Sequence, residues 1–339
     1  MANQKSNGLA RKFSSDPILG VIVLLLLVGS IASLTLPVFF TLQNFTNFLS
    51  GSYFVMLLAI GMTVVLISGG IDLSIGAVMA LCAGIVAKLT LQGMAVPLVL
   101  IVALAVGAFV GCLNGLLVTI VGLPDFIATL AMSAFATGIL FIWTRGTPIV
   151  GYMNETYRQI GGLSPIYGYI TVPMLTAIVV ALAMGALLKK TKFGVHLFSV
   201  GSNRLATRQS AINVSKIRIL AYVISGFCAA LSGIIMAGRN TTVPPDLGVG
   251  YEILAIAAAL IGGASLNGGR GRILGAVLGE VVLAMTINII NLVGVPSSYQ
   301  KIFIGGILLL AVFVNQIIIY LRKKVLLQIE KKKYKIPST

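Results

Sequence analysis

The chain has 339 residues, 58% of them hydrophobic and only 9% charged, against roughly 25% charged in an ordinary soluble domain. A packed soluble fold is excluded; the composition fits an all-α integral membrane protein, because alternating strand patterns are absent and helices must then satisfy the backbone. The net charge of +16 would suit a nucleic-acid partner only on a basic soluble surface with stacking aromatics, so no nucleic acid is expected.

Residues 1–17 read as a short basic cytoplasmic segment. The apolar run after it, 18–40, is longer than the roughly 7–15 residues of a signal-peptide core and shows no small-residue cleavage site, so it is expected to remain as the first span. Runs of about 20 apolar residues can cross a hydrocarbon core of about 30 Å. They predict about ten spans, near 18–38, 51–68, 71–91, 95–121, 125–145, 170–188, 217–238, 252–266, 273–293 and 301–321, forming a transmembrane domain over 18–321. Most Lys and Arg residues fall on one side of this arrangement: Lys5, Arg11 and Lys12, the stretch 189–218, Arg270 and Arg272, and the basic tail 322–339. The positive-inside rule therefore predicts cytoplasmic N- and C-termini and a cytoplasmic loop at 189–216. The tail reads as a juxtamembrane segment held near anionic lipid.

Little along the chain supports catalysis. Cys82, Cys112 and Cys228 lie in apolar runs at spacings that match no metal motif and read as small buried hydrophobes. His196, the single histidine, has no plausible nucleophile or metal partner. The glycine-rich stretch 262–275 lacks the Gly-Lys-Ser/Thr ending of a phosphate loop and joins two spans, so it reads as a tight turn. No catalytic residue, metal or cofactor is expected on this chain.

Charged groups inside spans are costly and mark transport paths. Asp72, Asp125 and Glu252 fall at span ends, and Glu280 lies well inside. A proton-coupled carrier is expected to show more. Two glycine-interrupted segments, 67–78 with Gly69 and Gly70 and 261–277 with Gly262 and Gly263, match the broken spans that point to a transport pathway. Turns and close packing explain those glycines equally well. Asp72 and Ser74 are expected to cap the helix that follows. The stretch GSNRLATRQSAINVSK (201–216) reads as one helix of about two to three turns, capped by Ser202 or Asn203, with Arg204 and Arg208 on one face and Leu205 and Ile212 on another. So short a helix needs a partner surface, either a protein or the lipid headgroups.

Four segments carry a resemblance: GMTVVLISGGIDLSIGAVMAL (61–81), FIATL (126–130), KFGVHLFSVGSNRLATRQSAINVSKIRILAYVISG (192–226) and GYEILAIAAALIGGASLNGGRGRILGAVLG (250–279). In order and in register, they resemble the permease subunit of ribose-type ABC importers, within the superfamily that includes branched-chain amino-acid permeases. The resemblance implies an importer-type permease fold in a bacterial-type cell membrane and a small sugar or polyol as substrate. It implies three protein partners: a cytoplasmic ATP-binding subunit holding ATP and Mg²⁺, an extracytoplasmic sugar-binding protein, and a second permease copy. It further implies that Gly201, Asn203, Arg204, Ala206, Thr207, Arg208, Ala211 and Ile212 form the ATPase-coupling segment. Gly69, Gly70, Asp72, Ser74, Glu252, Gly262, Gly263 and Glu280 are the candidates for the path or its gate, and Tyr152, Asn154, Arg239 and Asp246 for the outer mouth, although a solvated loop explains these last four equally well.

Three departures from the family pattern are visible. Ala211 replaces a usual Gly, a change that a helix tolerates; Asp125 replaces a small or apolar residue; and Leu254 stands where the family has an acid. Residues 254 and 280 are equidistant from the turn near 267, so one reading is that the acid has crossed the hairpin to Glu280, with Asn288 or a residue of another span as its polar partner; the other is a tolerated, protonated Glu of no functional weight. The rival readings are a branched-chain amino-acid permease and an ATP-independent carrier.

Overall fold

The computed structural model describes residues 17–296 together with Tyr299, Ile302, Phe303, Gly305, Gly306, Leu309 and Phe313. The N-terminal segment, most of the expected span 301–321 and the tail 322–339 lie outside the described residues. The apolar runs condense into α1 (Pro17–Thr35), α2 (Leu42–Ser50), α3 (Tyr53–Ile67), α4 (Ile75–Leu91), α5 (Val96–Leu116) and α6 (Asp125–Thr144). The short α7 (Glu155–Ile160) leads to α8 (Val172–Lys190), α9 (Lys192–Ser202), α10 (Arg204–Gln209), α11 (Val214–Arg239), α12 (Tyr251–Ile261) and α13 (Ile273–Leu292).

Among the described residues, six helical stretches are long and apolar enough to cross a membrane, and up to 7 if α2 and α3, bent by 47° against each other, count as one. This is a multi-pass helical membrane protein. Two of the expected spans are shorter than the sequence suggests. At 17 and 11 residues, α4 and α12 reach about 25 and 16 Å, from the rise of an α-helix. The residues expected to complete them, 71–74 and 262–266, leave the helix at glycine-led breaks.

The interior is built from α3, α4 and α11, with α11 packed against α3, α4 and α5. Helices that are apolar all round belong inside, and Leu57, Leu58, Met62 and Leu66 of α3 and Met79 and Val86 of α4 are fully buried. The outer helices turn apolar side chains outward, among them Leu26, Ile101, Phe109, Phe135, Ile142 and Leu182. The α5–α11 contact is a seam of small residues: a Cβ on Gly107, Gly111 or Gly115 would run into the backbone of Gly226, Tyr222 or Ile219. Small residues at this spacing let two membrane helices pack backbone to backbone.

At one end of the bundle the segments 68–74, 122–125, 199–213 and 262–272 converge; this is the junction end. At the other, residues 149–150 (β1) pair antiparallel with 242–243 (β2). Tyr152 is buried, with its hydroxyl within hydrogen-bond distance of the Ala237 and Asn240 carbonyls, at 2.8 and 2.7 Å. Burial pushes this phenol up to about 12. Asn154 caps α7 by accepting from the Tyr157 amide, and Arg239 donates to the Ser50 carbonyl at 3.0 Å. Tyr152, Asn154 and Arg239 therefore tie the loops of this end together, while Asp246 stays exposed.

Candidate functional site

The break between α3 and α4 is the first element of the site. Gly69 adopts φ +75, a left-handed conformation that glycine reaches without strain, and the chain stays out of the helix, turning at 73–74, until α4 starts at Ile75. The freed backbone groups find partners on other helices. Thr129 of the FIATL segment accepts from the Leu73 amide at 3.0 Å, and Tyr222 donates to the Ile71 carbonyl at 3.2 Å.

Asp72, 1% exposed, accepts three hydrogen bonds. Its Oδ1 takes the amide and hydroxyl of Ser74, at 3.0 and 2.6 Å, and its Oδ2 takes the hydroxyl of Ser225 on α11, at 2.7 Å. Asn114 on α5 donates to the Ser74 hydroxyl at 2.7 Å. The expectation that Asp72 and Ser74 cap α4 is corrected. The Ser74 side chain makes no cap bond to α4, and Asp72 spends its oxygens on the loop and on α11. Asp125, unusual by sequence, has a partner: Arg218 donates to its Oδ2 at 2.6 Å. The sequence reading missed Arg218, Tyr222 and Ser225. Their spacing of four and three residues puts all three on one face of a single helix, a signal present in the sequence.

The expected coupling segment is not one helix. Residues 201–202 finish α9, α10 is only 6 residues long, and Val214–Lys216 already belong to α11. Asn203 rather than Ser202 caps α10, its Oδ1 accepting from the Ala206 amide at 3.0 Å. Ala211 lies outside any helix at φ +59, so the expectation of an unstrained helical alanine is corrected: the turn into α11 needs the left-handed region here. Thr207 is buried and Ile212 packs against the apolar cluster that includes Leu188, Leu197 and Ile217, whereas Ala206, Arg208 and Leu205 (69% exposed) face outward.

This segment sits directly on the break. Arg204 donates to the Gly69 carbonyl at 2.7 Å, and Gly269 donates its amide to the Ile67 carbonyl at 2.9 Å. A Cβ on Gly201 would collide with the Ile67 carbonyl and the Gly269 amide. The two glycine-interrupted segments thus meet residues 201–204 at one point. Within 262–275, Gly262 packs against Gly275 of α13, and Gly263 takes a positive φ in the turn.

The second element is a cavity of about 750 Å³ between α2, α3, α12 and α13, lined by Asn47, Phe54, Tyr251, Glu252, Glu280 and Asn291 among others. Glu252 accepts from the Gly250 amide. Glu280 is 3% exposed, and its Oε2 has no hydrogen-bond partner among the described residues. Asn288 is not its partner, because Asn288 and Asn44 exchange side-chain bonds at 2.9 and 3.0 Å. Leu254 lines the same cavity as Glu280. Among the described residues no group of three His, Cys, Asp or Glu side chains could hold a metal.

The family described as branched-chain amino acid transport system, permease component, matches residues 44–312. This chain belongs to that family. The permease is 37% identical to the ribose import permease protein of Escherichia coli strain K12 over 297 residues, covering 87% of this chain and 92% of that one. It is also 37% identical to the ribose import permease protein of Bacillus subtilis strain 168, covering 88% and 92%. The autoinducer 2 import system permease protein of Escherichia coli O9:H4 is 35% identical, covering 88% and 84%. No solved structure gives a significant match. The permease's likeness to the ribose-type group extends over most of its length.

Proposed function

We propose that this permease is the membrane subunit of an ATP-driven importer for a small sugar: a ribose-like pentose, a hexose or a related polyol. The chemistry of the 750 Å³ cavity carries the reading. Carboxylates that accept and side-chain amides that donate and accept match the hydroxyls of a sugar, while Phe48, Phe54 and Tyr251 offer apolar surface to its ring. The described lining holds two acids, Glu252 and Glu280, and no Lys or Arg, which leaves an amino acid's carboxylate to uncharged donors alone. This favours a sugar over a branched-chain amino acid, as do relatives named for ribose import.

In this reading the junction end faces the cytoplasm, in keeping with the Lys and Arg bias. The exposed α10 docks on a separate ATP-binding subunit, which supplies ATP and Mg²⁺. The opposite end receives a sugar-binding protein, and a second permease copy completes the pathway. When the ATPase moves α10, Gly201 cannot slip past Ile67 and Gly269, so the motion reaches the α3–α4 break and the α12–α13 turn together. Access then alternates between the two sides.

The test is uptake of labelled ribose, other pentoses and leucine into proteoliposomes holding the permease with its ATPase and binding protein. ATP-dependent uptake of one of the sugars is the expected result. Uptake without ATP would identify a carrier, and leucine as the transported solute would overturn the sugar reading.

A further inference from the structure

A second cavity, of about 350 Å³, opens at the junction end. Its wall carries three guanidinium side chains, Arg204, Arg208 and Arg218, beside Thr119 and Ser215. These come from separate elements: Thr119 from a π-helical turn (Leu117–Val121) that closes α5, the first two arginines from α10, and Ser215 and Arg218 from the start of α11. Among the described residues one acid answers them, Asp125, which holds Arg218 at 2.6 Å. The Nε of Arg218 is buried, with the residue 5% exposed, and has no hydrogen-bond partner among the described residues. Arg204 has its pKa lowered, first by burial and then by repulsion from Arg218. The cluster thus holds more positive charge than its described partner neutralises, and a buried donor that no described residue accepts.

The position of this cluster narrows the choice of anion. The pocket lies where two spans end, Val96–Val121 and Val214–Arg239, which is the level of the headgroups. Ile120 and Val121 next to it are exposed and apolar, a surface along which acyl chains can run. Guanidinium forks match phosphate oxygens in pairs, and basic pockets between membrane helices suit anionic headgroups. We propose that this pocket binds the phosphate group of an anionic phospholipid headgroup, held jointly by Arg204, Arg208 and Arg218. Bound there, the lipid would fix α10 against α11 and the α5 turn.

The experiment uses the full chain, delipidated in mild detergent and offered phosphatidylglycerol, phosphatidylcholine or inorganic phosphate, with bound lipid read by native mass spectrometry. Wild type should retain one tight phosphatidylglycerol and little phosphatidylcholine. Arg208→Gln, an exposed change that leaves the Asp125–Arg218 pair alone, should weaken retention on the order of tenfold, with Arg208→Lys in between. Arg204→Gln serves as a second variant with the same expected direction. Equal retention of both lipids, or no effect of either Gln variant, would overturn the proposal. So would displacement of the lipid by millimolar inorganic phosphate, which would assign the pocket to a soluble anion. Unchanged lipid binding with loss of ATPase co-purification in Arg208→Gln would give the pocket to an acidic side chain of the partner instead.

Discussion

Asp72 and Glu280 are both buried carboxylates, and they differ in how they are satisfied. Asp72 receives three donors, an arrangement an amide nearly reproduces: Asn can accept from Ser74 and donate to a reoriented Ser225 hydroxyl. Asp72→Asn should therefore assemble normally, cost about 1 kcal/mol or less, and keep uptake near wild type. Asp72→Leu orphans the Ser74 amide and should cost about 1–3 kcal/mol. Thermal unfolding in detergent and uptake per expressed chain check both; loss of uptake by the Asn variant with intact assembly would make the charge itself part of a gate. Glu280 has an oxygen aimed at no described donor, in a cavity it shares with Leu254. Glu280→Ala should impair uptake, and adding Leu254→Asp should restore part of it, because either position presents a carboxylate to the same space. An unimpaired single variant, at matched membrane expression, refutes this role.

Among the elements, α10 concentrates the coupling argument. With 6 residues it is too short to hold its shape alone. Its stability comes from the Asn203 cap, buried Thr207 and the Arg204 bond to Gly69. Ala206 is exposed on it, so Ala206→Trp should leave the permease folded yet abolish ATPase co-purification and ATP-driven uptake by overpacking the docking contact. The turn after α10 predicts a gain. Ala211 at φ +59 carries about 1 kcal/mol of left-handed strain, so Ala211→Gly should raise the unfolding temperature modestly, the greater freedom of Gly in the unfolded chain offsetting part of it. The sequence made the presence of this segment legible but not its shape. Asn213 caps α11 through the Lys216 amide, forcing the chain to turn at 211. A helical face drawn through residues 201–216 cannot register that early restart.

At the scale of the molecule, hydropathy located the helices and failed at their ends. A window counts apolar residues whether or not the backbone hydrogen bonds continue, so 262–266 looked like span and is a turn. The costly charges at Asp72 and Glu280 were readable singly; the Asp125–Arg218 pair was not, because the partners lie 93 residues apart in the chain and only the tertiary fold sets the start of α6 beside Arg218. Orientation is a property of the whole chain and is tested by labelling. Tyr167→Cys, at an 81% exposed position of the end opposite the junction, should react with a membrane-impermeant maleimide in intact cells. Leu205→Cys should react only after permeabilisation. Cys82 and Cys228 are buried and should stay silent in both; the reverse labelling pattern would invert the topology.

The shortness of α12 bears on how the protein is made. A helix of about 16 Å cannot wait in lipid for a partner, since half the bilayer thickness would be left to the unpaired backbone of the turn after it. Packing supplies what length does not: a Cβ on Gly275 or Gly279 of α13 would strike the backbone of α12 or its turn at Gly262 and Ala258. The two are therefore expected to enter the membrane as a hairpin, with Tyr251–Ile261 held at the insertion site until Ile273–Leu292 has been synthesised. A ribosome stalled between them strands a segment that quality-control proteases can recognise, which makes this hairpin a commitment point in the protein's biogenesis.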